Sequence, residues 1–263
     1  MAHYNFNLSH LPQRTIKPRK DGVTMVMDKG ISLRQAEDML SASSDYIDFV
    51  KLGFGTSIIS KNVKEKIKLY QKQGIKVYVG GTLFEAFIVR NKFDDYLKYI
   101  TDLGLDSAEV SDGSVSLNHE KKCEYISKLA KNFTVLSEVG SKEEGVIIHP
   151  ARWIKMMQSE LDAGAFKVIA EARESGTVGI FHKNGSAHTL LINRIVNKVK
   201  LENIIWETPQ KSQQVYFLKL FGCNVNVGNI SVDDVIPLET LRIGLRGDTF
   251  FTYLPEEMKA ELN

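Results

Sequence analysis

Four glutamates interrupt short apolar runs of the sequence, and together they could bind a metal ion. They are Glu109, Glu138, Glu171 and Glu207. A carboxylate inside an apolar strand is costly to desolvate unless a cation pairs with it. Neighbouring strands lie about 4.8 Å apart, so glutamates at matching depth could share one ion, and Mg²⁺ prefers carboxylate oxygens. The pattern predicts Mg²⁺ ligation, with Glu138 and Glu171 as first candidates because a cationic loop follows each of them.

Basic residues follow the same kind of run and predict the charge of a ligand. The set comprises Lys29, Lys51, Lys142, Arg173, Lys211 and Arg246. The whole chain has 34 Lys+Arg against 32 Asp+Glu and a formal net charge of +2, which argues against a general nucleic-acid binder. Cations gathered on one rim of a nearly neutral protein indicate a small, densely anionic substrate. The alternative stays open that some of these cations only neutralise the glutamates as buried ion pairs.

Eight β-rich runs alternate with helical patterns along the whole chain. The runs cover residues 23–28, 46–51, 75–80, 107–112, 134–139, 167–172, 204–208 and 225–229. Most are continuously apolar, as expected for parallel strands that are buried on both faces. The sequence therefore predicts an α/β protein of a single domain, a (β/α)8 TIM barrel. A doubly wound open sheet is the second choice, but no GxGxxG motif follows the first run.

Helix starts between the runs support this alternation. Ser32 and Gln35 have the spacing of a capping box, and Asn62 and Asn118 could each cap a following helix. In a (β/α)8 barrel, chemistry is found in the loops at the carboxyl ends of the strands. All four glutamates and the basic residues fall at such ends, and phosphate commonly binds after the seventh and eighth strands. Gly176, Asn229 and Arg246 are the candidates for a phosphate site.

The length of 263 residues suits one large domain. We expect an extended basic arm over residues 1–21, the catalytic barrel over residues 22–251 and a tail over residues 252–263. Two cysteines are too few for a disulfide framework. The sequence contains neither an apolar run near the ~20 residues that span a bilayer nor a hydrophobic signal core, so we expect a cytoplasmic protein without a membrane partner.

Several strings at the predicted strand ends resemble the phosphosulfolactate synthase family, over about residues 22–250. They include Asp28-Lys29-Gly30, Gly80-Gly81-Thr82-Leu83-Phe84-Glu85, Ser111-Asp112-Gly113, Ser137-Glu138-Val139-Gly140, Arg173-Glu174-Ser175-Gly176 and Gly244-Leu245-Arg246-Gly247-Asp248. The resemblance implies a (β/α)8 enzyme that uses Mg²⁺ to add sulfite to phosphoenolpyruvate, giving (2R)-O-phospho-3-sulfolactate. It also implies a homo-oligomer.

This reaction implies roles for the charged residues at the predicted strand ends. Sulfite would attack the methylene carbon of phosphoenolpyruvate, an enediolate-type intermediate would form, and a general acid would protonate the carbon that bears the phosphate. We assign the acid role to Lys142, with Lys51 and Arg173 as further catalytic residues. The expected substrate-binding residues are Lys29, Gly176, Lys211, Asn229 and Arg246.

Two other functions remain open at this stage. A lyase or aldolase on the same barrel could form a Schiff base through Lys142 or Lys51. Plant heat-stress-associated proteins resemble the same family, and this second resemblance implies action by protein interaction rather than catalysis. A degenerate relative of that kind should have lost rim cations or glutamates, whereas this chain keeps both.

Overall fold

A computed structural model describes residues 4–6, 8–140 and 148–260. Eight parallel strands form one sheet in the order β3-β2-β1-β8-β7-β6-β5-β4. The strands are β1 Thr24–Asp28, β2 Phe49–Leu52, β3 Lys76–Val79, β4 Ser107–Val110, β5 Thr134–Val139, β6 Lys167–Ala170, β7 Ile204–Glu207 and β8 Val227–Ser231. Side-chain hydrogen bonds span the seam between β3 and β4, as from the Val77 N–H to Asp106 (3.0 Å). The sheet is a nearly closed barrel, which confirms the predicted fold.

Helices follow every strand and cover the outside of the barrel. Within the described ranges they are α1 Leu33–Ser43, α2 Thr56–Ile59, α3 Val63–Lys72, α4 Gly81–Ile88, α5 Phe93–Asp102, α6 His119–Leu129, α7 Pro150–Asp162, α8 Thr189–Val196, α9 Lys211–Phe221, α10 Val235–Arg242 and α11 Glu256–Ala260. In this part of the chain none of them combines the length and the apolar character that crossing a membrane requires.

The predicted helix caps are right in two of three cases. Ser32 and Gln35 form both bonds of the capping box, and the Asn118 side chain accepts hydrogen bonds from the first turn of α6. The prediction for Asn62 is wrong, because its side chain makes no capping bond. Its backbone has a φ of 57°, so the left-handed conformation takes the side chain away from the helix start.

Two strands, β2 and β8, begin two or more residues later than the sequence predicts, because polar side chains replace the first bonds of the ladder. Residues Ser44–Tyr46 form a short 3-10 turn, and the Asp48 carboxylate accepts the Thr24 N–H (2.9 Å), so β2 begins at Phe49. The Asn226 side chain accepts the Val23 N–H and donates to the Ile204 carbonyl, both at 3.0 Å, so β8 begins two residues late. These bonds close the amino-terminal end of the barrel.

A separate apolar cluster fills the barrel interior. Its members, mostly one from each contributing strand, are Val23, Met25, Phe49, Tyr78, Leu136, Ile169 and Ile205. Successive side chains of a strand alternate between faces, so residues two positions further point to the same side. Lys51, Glu138, Glu171 and Glu207 stand two positions after Phe49, Leu136, Ile169 and Ile205. The charged residues therefore form the layer above this apolar floor.

Residues 8–21, part of the predicted arm, pack beneath the amino-terminal end without regular structure. Arg14 is buried and forms a two-pronged ion pair with Glu239 at 2.8 and 3.1 Å. Arg19 contacts Asp48 at 3.1 Å, and Lys17 donates to the backbone carbonyl of Ser44. Basic residues of the arm thus bind the barrel itself. The division into arm, barrel and tail stays a prediction.

Candidate active site

A cavity of about 350 Å³ opens at the carboxyl ends of the strands. Its lining residues come from all eight strands or the segments that follow them: Met27, Lys51, Phe54, Gly80, Thr82, Ser114, Glu138, Glu171, Arg173, Glu174, Ser175, Glu207 and Asn229. Larger cavities include those of about 970 Å³ between α6 and α7, about 880 Å³ along the arm and about 530 Å³ between α1 and the start of α10. Among the described residues none of these three contains a cluster of acidic ligands, so the smaller cavity is the candidate active site.

Three glutamates of the cavity are close enough to bind one ion. One carboxylate oxygen from each of Glu138, Glu171 and Glu207 lies within 4.8 Å of the other two, and all three residues are buried. Across the described ranges, no other three or more His, Cys, Asp and Glu residues were found grouped in this way. Oxygens on opposite sides of an octahedral Mg²⁺ stand about 4.2 Å apart, so this donor set fits a hard divalent cation.

Hydrogen bonds hold each carboxylate of this acidic triad in place. Glu138 accepts from the Ser111 hydroxyl at 2.9 Å. Glu207 accepts from the backbone N–H of Ala172 at 2.9 Å, and Glu171 accepts from the N–H of Arg173 at 2.6 Å. Ligands fixed in advance lose little conformational entropy when an ion binds.

Lys51 lies among the glutamates. Its Nζ atom is 3.1 Å from Glu109, 3.2 Å from Glu138 and 3.5 Å from Glu207. Burial alone would lower the pKa of Lys51, but the three carboxylates outweigh it and raise this pKa well above its ordinary value. Lys51 is therefore a charged ammonium at the cavity surface.

Glu109 lies one layer below the acidic triad. In the β4–β5 ladder it pairs with Leu136, two positions before Glu138, and its side chain is fully buried. One of its oxygens accepts the Gly81 N–H at 2.5 Å, and the other faces Lys51. Glu109 joins the two strands of the seam and contributes to the charge around Lys51. Of the four glutamates predicted as metal ligands, the structure brings three together in the triad.

Three cavity residues have unusual backbone conformations. Phe54, Arg173 and Asn229 have φ angles of 55–56°, although none is glycine. This left-handed conformation costs a non-glycine residue about 1 kcal/mol or more. Such strain persists where surrounding structure enforces it, often at functional sites. The bond from Arg173 to Glu171 is one such constraint, and it places the exposed Arg173 side chain at the cavity mouth.

The other expected substrate-binding residues lie outside the cavity lining. Lys211 forms an ion pair with Asp248 at 2.6 Å, and the Lys29 ammonium lies 6.0 Å from the centre of the Phe54 ring. The carbonyl of Gly176 accepts a hydrogen bond from Gln213 at 2.7 Å, and Arg246 is half-buried. Asn229 lines the cavity as expected. Lys142 falls outside the described residues, so its acid role stays a prediction.

Sequence reasoning missed the residues that support the triad. Ser111 contacts both Glu138 and Glu85, and Glu85 is a buried carboxylate on α4. Apolar Met27 and Phe54 also line the cavity. Glu85 had a detectable signal, since it is a charged residue within the apolar run Leu83–Ile88 of a helix. Ser111 stands in the string Ser111-Asp112-Gly113 that resembles the family, but its contact with the glutamates could not be read from that string.

Comparisons with known proteins agree with this geometry. The family model described as (2R)-phospho-3-sulfolactate synthase (ComA) matches residues 12–248. The phosphosulfolactate synthase of Methanocaldococcus jannaschii is 46% identical over 237 residues, covering 87% of this chain and 94% of the relative. That of Bacillus subtilis is 40% identical over 244 residues, covering 92% and 97%. Protein HEAT-STRESS-ASSOCIATED 32 of Arabidopsis thaliana is only 22% identical over 261 residues, covering 87% and 88%.

Solved structures share the fold at low sequence identity. The 3-hexulose-6-phosphate synthase of Salmonella typhimurium superposes with a TM-score of 0.53 and 14% identity, over 85% of this chain and all of that one. This likeness supports the barrel and nothing finer. The family match covers nearly the whole barrel, and relatives at 40% identity or more cover most of the chain. The chain belongs to the (2R)-phospho-3-sulfolactate synthase family.

Proposed function

We propose that this chain is a lyase that adds sulfite to phosphoenolpyruvate and forms (2R)-O-phospho-3-sulfolactate. The observation that carries the proposal is the acidic triad around Lys51, in a cavity at the carboxyl end of the barrel of a chain of this family. Two anions must meet there, and like unit charges about 4 Å apart repel by about 4 kcal/mol at a surface-like dielectric. A site for this reaction must therefore supply positive charge.

The triad supports the proposal that Mg²⁺ supplies much of this charge. Three carboxylates in one buried cluster would repel each other and the substrates unless a cation binds them. When bound, a divalent cation stabilises negative charge that develops on the substrate carboxylate. The residues that would hold it are Glu138, Glu171 and Glu207, whose hydrogen bonds already fix their orientation.

The chain's own residues bind and orient the substrates. Lys51 presents a permanent ammonium to the cavity and neutralises part of the triad. Arg173 stands at the mouth, where a guanidinium can bind phosphate with two parallel hydrogen bonds. Asn229 is buried and lines the same cavity, and its side-chain oxygen has no hydrogen-bond partner among the described residues, so its amide can contact bound substrate. Lys29, Gly176, Lys211 and Arg246 stay predictions as substrate contacts.

The proposed addition of sulfite needs no oxidant. The sulfur lone pair of sulfite forms a bond to the methylene carbon, and the carbon–carbon π electrons move toward the carboxylate. A proton then joins the carbon that bears the phosphate, on one face only. Lys142 is the proposed donor of this proton, and Lys142→Ala should stop turnover while phosphoenolpyruvate still binds. A cytoplasmic location and a homo-oligomeric state also remain predictions.

Phosphorus NMR of the purified protein tests the function. With phosphoenolpyruvate, sulfite and Mg²⁺, a new phosphate monoester signal should appear, and EDTA should abolish it. Unchanged phosphoenolpyruvate under these conditions would refute the activity. Glu171→Gln is the matched site variant, because it removes one triad charge with little change of shape.

A Schiff-base aldolase fits Lys51 poorly. Its pKa is raised by the surrounding carboxylates, so the neutral amine that attacks a carbonyl is scarce. Borohydride trapping with substrate should therefore leave Lys51 unmodified. Trapping at Lys51 would favour the aldolase instead.

A further inference from the structure

Ser111 connects the acidic triad to a fourth buried carboxylate. Its hydroxyl oxygen lies 2.9 Å from Glu138 and also contacts Glu85 in a short hydrogen bond. All three residues are buried. Glu85 comes from α4, whereas Ser111 follows β4 and Glu138 lies in β5, so the contact joins three consecutive units of the barrel.

The hydroxyl can serve only one of these carboxylates at a time. Serine has a single hydroxyl hydrogen, and an ionised carboxylate can only accept. When Ser111 donates to Glu138, its oxygen lone pairs face Glu85, and rotation about the C–O bond reverses the arrangement. Rotation itself moves only the hydrogen. When Ser111 donates to Glu138, no hydrogen lies between the Ser111 and Glu85 oxygens, so their short contact must lengthen slightly.

The charge on Glu138 decides between the two arrangements. Glu138 belongs to the acidic triad and Glu85 does not. A cation bound by the triad takes up charge from Glu138 and makes its oxygens weaker acceptors, while Glu85 remains a strong one. Because Glu85 lies outside the triad, Ser111 can donate to Glu85 instead of Glu138 at little cost in free energy.

We infer that Glu85 is a positioning residue for the metal site and acts through Ser111, by accepting its hydroxyl hydrogen when a cation binds Glu138. This inference rests on the metal ligation in the proposed function. Positioning residues of this kind typically change metal affinity 10- to 100-fold when mutated. Glu85→Gln should weaken binding, because its amide can donate to Ser111 and so keep the hydroxyl hydrogen on Glu138.

A double-mutant cycle with Mn²⁺ as the probe tests this coupling. Mn²⁺ affinity is measured by electron paramagnetic resonance on the full chain, for the unaltered protein, Glu85→Gln, Ser111→Ala and the double variant. We expect Glu85→Gln to lower affinity about 10-fold when Ser111 is present and less than twofold in the Ser111→Ala background. Equal losses of affinity in both backgrounds would overturn the inference, since Glu85 would then act through its charge alone. No loss of affinity in either background would also overturn it.

Two more variants separate geometry from charge. Glu85→Asp keeps the charge but moves the carboxylate away from Ser111, so it should also weaken Mn²⁺ binding. This variant replaces Glu85→Gln in the experiment if Glu85→Gln does not fold. Glu174→Gln removes a charge from the exposed part of the same cavity and should have a smaller effect than Glu85→Gln. If the unaltered chain binds no Mn²⁺, both the inference and the metal site fail. If it binds Mn²⁺ with no coupling, only the inference fails.

Discussion

The two ends of the barrel both bury cations, but they surround them with different partners. At the amino-terminal end, Arg242 is fully buried and donates to the carbonyls of Cys223, Val225 and Val23 at 2.6–3.2 Å. The Glu239 carboxylate is 3.9 Å from Arg242 and already pairs with Arg14. Lys167 donates to two backbone carbonyls. At the carboxyl end, Lys51 lies among three carboxylates instead. Carbonyls and single ion pairs hold a cation in a fixed structure, whereas clustered carboxylates can also bind a divalent cation.

Backbone strain also differs between the two ends of the barrel. Three of the cavity residues, Phe54, Arg173 and Asn229, have positive φ angles. At the amino-terminal end the strand starts are ordinary and the side chains of Asp48 and Asn226 complete them, while His10, with a φ of 61°, lies in the arm and not in the barrel. The comparison indicates that stability is concentrated at one end of the barrel and that strain is tolerated at the other, where chemistry needs it.

The largest expected effect on turnover comes from a substitution of Lys51, at the carboxyl end of the barrel. Lys51→Met leaves three carboxylates without their shared ammonium, so turnover should fall on the order of 1000-fold. Removal of one partner from a buried ion pair costs about 3 kcal/mol or more in unfolding free energy. Because a bound cation can replace the lost charge, millimolar Mg²⁺ should restore part of that stability. Urea unfolding with and without Mg²⁺ checks this, and a variant as active as the unaltered protein would break the comparison.

Arg242→Met is the counterpart at the other end. Loss of its buried hydrogen bonds leaves several carbonyls unsatisfied, so the unfolding free energy should fall by about 3 kcal/mol. Turnover per folded molecule should stay within twofold, and Mg²⁺ should rescue this variant no more than it stabilises the unaltered protein. Selective rescue by Mg²⁺ would show that the two ends are not independent.

The pH dependence of stability should have opposite signs for the two lysines. Burial lowers the pKa of Lys167 to about 8, whereas the unfolded chain binds this proton up to a pH near 10.5. The unfolded state therefore holds more protons between pH 8 and 10.5, and stability from this group rises with pH there. Lys51, with its raised pKa, stabilises fully below pH 10.5 and loses that contribution only at higher pH. In denaturant titrations, Lys167→Met should lack this rise of the unfolding free energy with pH, which is on the order of 1 kcal/mol. A pH profile of stability identical to that of the unaltered protein would contradict the lowered pKa of Lys167.

The smallest expected effect concerns strain at the mouth. Arg173→Gly relieves a left-handed non-glycine residue and should raise the unfolding free energy by about 0.5 kcal/mol, while turnover falls because the guanidinium is lost. Asn62→Gly, with a φ of 57° outside the active site, is the matched control. It should give a similar gain with unchanged turnover. A destabilised Arg173→Gly would argue against strain at this position.

The barrel could be predicted from the sequence because its strands are continuously apolar. All eight were placed, and the errors fell at strand boundaries. Starts such as 46 and 225 were too early where polar side chains imitate ladder bonds, and the predicted fourth and sixth runs extend two residues past the ends of β4 and β6. The grouping of Glu138, Glu171 and Glu207 followed from the repeated glutamate within strands. The lower position of Glu109 depends on register between strands, which no local pattern specifies.

Loop residues were harder to place. Lys29, Lys211 and Arg246 lie near strand ends in the sequence, yet Lys211 pairs with Asp248 and Lys29 contacts Phe54. Side-chain direction in a loop depends on tertiary contacts, so proximity in sequence does not decide which cations line the cavity. Glu85 and Ser111 stood in strings that resemble the family, but the sequence assigned them no role, because their importance comes from one contact between separate units of the barrel.

Diffraction from crystals soaked in Mn²⁺ tests the central claim most directly, since anomalous scattering locates the ion without assumptions about the reaction. The account predicts one strong peak bound by Glu138, Glu171 and Glu207 at the carboxyl end of the barrel, and its loss in Glu171→Gln. A peak at another place, or an empty triad with Lys51 still held among the carboxylates at saturating Mn²⁺, would contradict it.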